Sequence, residues 1–120
     1  MANKNNSKKN IYKICDQEIW RIAQKKGIFK GSGIDLTDGF IHFSTAEQVQ
    51  ETARLHFNGV KDLLLITVNI EKLEIKWEPS RNKKLFPHLY SVMPLSNVVS
   101  VFELKLDESN NHILPSEFYD

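Results

Sequence analysis

One cysteine, Cys15, stands among the 120 residues, so the chain forms no internal disulfide and has no second thiol for a metal pair. Folding therefore does not depend on an oxidising compartment, and Cys15 reads as a small buried hydrophobe at a strand end. Long apolar runs are also missing. The longest, Leu63-Leu64-Leu65-Ile66, falls far short of the roughly 20 residues a membrane-spanning helix needs. The first ten residues are polar and lack the apolar core of a secretory signal, so a cytoplasmic location without a membrane partner is expected. Charge of one sign is scarce as well. The net charge is +1, and Lys4, Lys8 and Lys9 leave −2 for everything after residue 10. A nucleic-acid binder usually carries a strongly basic face, and only Arg81, Lys83 and Lys84 cluster in that way. That cluster reads either as a phosphate contact or as a solvated loop.

Several catalytic motifs are absent too. No Gly-x-Ser-x-Gly elbow occurs, and Gly31-Ser32-Gly33 is not followed by the Lys-Ser/Thr of a phosphate loop. What Ser32 and its neighbours offer is a small nest of backbone N–H groups for an anion. No His-x-x-x-His pair exists and no metal site is expected.

The composition, 41% hydrophobic and 26% charged, fits one ordinary globular domain. Residues 1–10 read as a disordered polar tail, 11–106 as the domain, and 107–120 as a C-terminal extension. Ile11 to Cys15 reads as a strand, and Asp16 as the N-cap of a helix ended by Gly27. Thr45 and Gln48 have capping-box spacing for a helix over 46–57. Residues 62–70, 73–77 and 98–106 read as strands, and 79–94, with three prolines, as a long connection around a short extended piece. The expected fold is α+β: a mostly antiparallel sheet of five or six strands with two early helices.

His42 is the first candidate for chemistry, because it is a titratable side chain on the apolar strand Phe40-Ile41-His42-Phe43. It reads as a general acid or base, or as a half-buried histidine tied to a backbone carbonyl. Ser44 shares its strand face and reads as a ligand contact or a helix cap. His88, held between Phe86-Pro87 and Leu89-Tyr90, is the second candidate, whereas His56 reads as packing and His112 as solvated. Glu78 and Arg81 place a carboxylate and a guanidinium at the start of the long connection, beside Trp77.

From Ile11 to about Val101 the chain resembles the family catalogued as domain of unknown function 952. The resemblance rests on Ile11-Tyr12-Lys13-Ile14, Trp20, Gly27, Gly31-Ser32, Asp38-Gly39-Phe40-Ile41-His42-Phe43-Ser44-Thr45, His56-Phe57, Trp77-Glu78-Pro79-Ser80 and Phe86-Pro87-His88-Leu89-Tyr90. More distantly, the order of a Tyr strand, a Trp helix, a Gly and then apolar-His-apolar-Ser looks like the tRNA 2′-phosphotransferase branch of the ADP-ribosyltransferase fold. That likeness implies an ADP-ribosyltransferase-like fold with NAD, or another small phosphorylated ligand, held around His42. Where that branch has Tyr-His-Gly-Thr, this chain has Tyr12-Lys13-Ile14-Cys15, so Lys13 replaces one NAD-binding histidine. The resulting expectation gives His42, Glu78 and His88 catalytic roles and makes Lys13, Ser32, Ser44, Trp77, Arg81 and Tyr90 ligand contacts. The protein is then an enzyme or a degenerate enzyme; the alternative is a non-catalytic ligand- or RNA-binding module.

Overall fold

In a computed structural model, residues 9–119 of the chain are described. The tail expected at the N-terminus lies outside them except for its last two residues, and the first strand already begins at Asn10. The order is β1 (Asn10–Asp16), α1 (Gln17–Lys26), β2 (Ile28–Phe29), α2 (Ile34–Asp38), β3 (Ile41–His42), α3 (Ala46–His56), β4 (Leu63–Asn69), β5 (Ile75–Pro79), β6 (Leu85–Leu89), β7 (Met93–Pro94), β8 (Val98–Leu106) and β9 (His112–Ile113). The fold is α+β and its strand pairs are antiparallel. The strands form three small sheets, ordered β1-β4-β8-β9, β2-β7 and β3-β6-β5, where the sequence suggested one. A third helix, α2, joins the two expected. At five residues it is too short to give a periodic signal.

Local chemistry explains the helix ends. Asp16 Oδ1 accepts from the amides of Glu18 and Ile19 at 2.8 and 3.1 Å, and Gly27 leaves α1 at φ 79°. The Gln48 Oε1 atom accepts from the Thr45 amide at 3.0 Å, which makes the return bond of the capping box.

β4 runs through the middle and is buried on both faces. Leu63 and Leu65 pack with Ile14, Val49, Ala53 and Leu104, while Ile66 and Val68 pack with Ile11, Trp20, Phe29, Ile41 and Leu89. Each such side chain contributes roughly 1.5–3 kcal/mol by leaving water. On β1, Ile11, Lys13 and Cys15 alternate onto one apolar face, so an ammonium group enters the core beside a thiol. Burial pushes the Cys15 thiol up to about 11, so it is neutral at pH 7. We therefore expect Ellman's reagent to leave the folded protein unlabelled and to titrate one thiol after denaturation.

The segment after β3 is the seam of the molecule. His42 pairs with His88 of the three-stranded sheet, and two residues later Ser44 exchanges both backbone hydrogen bonds with Tyr12 at 2.8 Å. His42 thus sits where two sheets are stitched together.

Candidate functional site

Lys13 cannot remain in the core unpaired, because burying a lone ammonium costs several kcal/mol. Its Nζ lies 2.7 Å from Asp35 Oδ2 and donates to the His42 carbonyl oxygen at 2.9 Å. The Asp35 side chain is fully buried. Its Oδ2 also accepts from the Ser32 amide at 2.9 Å, and its Oδ1 meets the His42 amide at 3.1 Å and His42 Nδ1 at 2.6 Å. Burial by itself raises the Asp35 pKa. The charge and hydrogen bond of Lys13 outweigh it, helped by Ser32 and His42, and the net result is a carboxyl held below its ordinary range.

Asp35 at Nδ1 fixes the orientation of the His42 ring and turns Nε2 outward. There Nε2 stands 3.1 Å from Asp38 Oδ2, one turn along α2 from Asp35. The loop before α2 is shaped for this. Gly31 has φ 114°, and a Cβ added to it would fall 2.7 Å from the Asp35 Cβ. We expect Gly31→Ala to lower stability by about 1–3 kcal/mol in urea denaturation, through forced displacement of Asp35.

A second histidine is held in the same way. His88, directly opposite His42 in the β3–β6 pair, places Nδ1 2.8 Å from Glu78 Oε1, which also accepts from the Tyr90 hydroxyl at 2.7 Å. The Tyr90 and His88 bonds keep the Glu78 carboxyl below its usual range, and the Glu78 contact pushes the Tyr90 phenol up. The two imidazole centroids are 5.3 Å apart. Phe40 stacks across both, at 4.4 Å from His42 and 4.3 Å from His88, and reaches Tyr90 at 4.9 Å. Lys76, opposite His88 on β5, holds its ammonium 5.2 Å from the Tyr90 ring centre and has no ion-pair partner among the described residues. The result is a surface patch with one partly exposed imidazole, His42, a second, His88, enclosed behind Phe40, two partly exposed carboxylates and an ammonium group.

The sequence candidates divide into three groups. His42, His88, Glu78 and Tyr90 come together on this face. Lys13, Ser32 and Ser44 stand behind it: Lys13 and the Ser32 amide hold Asp35, and the buried Ser44 hydroxyl lies 3.1 Å from Thr52 Oγ1. Arg81 is committed to Glu51 at 3.1 Å and to Thr52, with its guanidinium over Phe86, so it does not pair with Glu78. Trp77 is 43% exposed, on the opposite side of β5 from Lys76 and Glu78 by strand alternation. His56 is exposed at the end of α3 rather than packed. His112, expected in solvent, is buried in β9 with Nε2 2.8 Å from the Val60 carbonyl oxygen.

Asp35, Asp38 and Lys76 were not anticipated. Their one local signal was the helix spacing of Asp35 and Asp38 just before Gly39, at seven and four residues from His42.

Residues 14–101 match the family described as protein of unknown function, DUF952. The chain belongs to this family. Protein CC0527 from Caulobacter crescentus, a solved structure, is 41% identical and superposes with a TM-score of 0.85 over 92% of this chain and 98% of that one. Its solution NMR structure gives 0.77 at 44% identity, over 86% of this chain and 90% of that one. No curated protein matches the chain.

Proposed function

We propose that the protein is an enzyme that binds a nucleotide or NAD-like phosphorylated ligand on the His42–His88 face, and that its fold is distantly akin to the ADP-ribosyltransferases. The reading is carried by one observation: two facing histidines each have Nδ1 tied to a carboxylate, and the more exposed of them, His42, sets Nε2 beside Asp38 as a pair able to move a proton. The residues present fit such a ligand at three points. Phe40 and Tyr90 supply a ring platform, Lys76 an ammonium for phosphate, and Asp38 and Glu78 negative charge beside it.

If NAD is the ligand, nicotinamide leaves through an oxocarbenium-like state. Placed carboxylates then stabilise the positive charge that develops on the sugar, and the Asp38 carboxylate paired with His42 Nε2 receives the proton of the attacking water. Lys13 acts from behind, holding Asp35 and through it His42, so the histidine it replaces is not needed as a direct contact.

RNA binding is the second reading. It is favoured by the half-exposed ring of Tyr90 beside the Lys76 ammonium and by exposed Trp77, Lys83 and Lys84 along the same stretch of chain. A thermal-shift panel of NAD, ADP-ribose, cyclic and linear nucleotides and short RNAs separates the two, since a ligand bound to the native state raises its melting temperature. The enzyme reading expects a shift with a dinucleotide or nucleotide that is absent in His42→Ala. A shift with RNA alone, steeply weakened by salt and unchanged in His42→Ala, supports the binding module.

A further inference from the structure

We infer that β8 is a pairing edge through which two copies of this chain join as a two-fold dimer. β8 pairs with β4 along one side, but β9 covers its other side only at Lys105 and Leu106. From Val98 to Leu104 no strand among the described residues meets the outward N–H and C=O groups. Long open edges are templates for another strand, and proteins usually blunt them with Lys, Pro or inward charges.

This chain blunts one open edge and leaves the other bare. β5, the outer strand of the three-stranded sheet, carries Lys76, Glu78 and Pro79. β8 carries a single charge, Glu103, between Val98 and Leu104, and shows Val99, Val101 and Phe102 to the surface at 57%, 44% and 38% exposure. The far strand of the same sheet, β1, is interrupted at its middle, where Tyr12 pairs with Ser44.

Those facts choose the occupant. The long unblunted edge that a second copy presents is its own β8, and an antiparallel strand pair with itself obeys a two-fold axis, so the contact closes at two copies instead of growing into a filament. The edge is nearly uncharged, and two copies meet without like-charge repulsion, whereas a strongly charged partner finds nothing to pair with.

Sedimentation velocity on the full chain tests this. The wild-type protein is expected at twice the 13.9 kDa of one copy, with amide exchange slowed across Val98–Leu104. Val101→Lys is expected to sediment as one copy with an unchanged circular dichroism spectrum, and Val99→Lys makes the same test should Val101→Lys fail to fold. Two results overturn the dimer. One is a wild-type protein of single-copy mass across a hundredfold range of concentration, which leaves the edge to a strand of another protein. The other is a folded Lys variant that stays dimeric.

Discussion

Asp35→Asn is expected to destabilise the protein by about 3–5 kcal/mol, because it strands the Lys13 ammonium in an apolar layer with its counter-charge gone. The amide is nearly the same size as the carboxylate, so the loss reports charge rather than a cavity. Adding Lys13→Met removes the stranded ammonium, and the double variant is expected to be more stable than Asp35→Asn alone. The same pair sets an acid limit. Asp35 titrates below its ordinary value of 3.8 in the folded protein, so the unfolded chain takes up its proton first as pH falls. Its contribution is complete above about pH 4 and is lost as pH drops through the depressed folded value. Urea denaturation against pH is expected to show this limb in the wild type and a flatter one in Asp35→Asn.

His42→Ala is expected to lower nicotinamide release from NAD by about 10²–10⁴-fold, the usual worth of a positioned proton-transfer group. His88→Ala is expected to lower it too, because His88 holds Glu78 and Phe40 beside His42. Stability distinguishes them. His42 is 30% exposed at its side chain, whereas His88 is almost enclosed and holds Glu78 and the Phe40 stack, so His88→Ala also lowers the melting temperature. His88→Gln keeps a hydrogen-bonding group toward Glu78 and is the variant that isolates chemistry from packing. Chromatographic assay of nicotinamide in wild type and the three variants makes the comparison, and equal release from all of them would remove the two histidines from catalysis.

His42 and His88 were legible in the sequence because a polar ring on an apolar strand is locally conspicuous. Asp16, Gly27, Thr45 and Gln48 were legible because caps are read over four residues. Their partners were not. Lys13 and Asp35 lie 22 residues apart, and no periodicity reports an ion pair across the core, so Lys13 read as a ligand contact. Asp35 and Asp38 were hidden in a turn-rich stretch whose helix is a turn and a half long. Arg81 read as a ligand contact beside Glu78, but β5 and β6 turn Glu78 toward His88 and leave Arg81 to Glu51 on α3. The three-sheet arrangement escaped for a similar reason, since β2, β3, β7 and β9 are two residues each and their pairing is decided by partners far along the chain.

The central claim is that ligand meets the outward nitrogen of His42, with His88 behind it. The direct measurement is ¹H–¹⁵N NMR of the histidine rings during titration with NAD and with ADP-ribose. A saturable shift at the Nε2 resonance of His42, with the Nδ1 resonances of His42 and His88 held by Asp35 and Glu78, is the predicted result. Rings that do not respond to either compound, or shifts confined to a concavity between β8 and the Leu114–Phe118 segment, would contradict it.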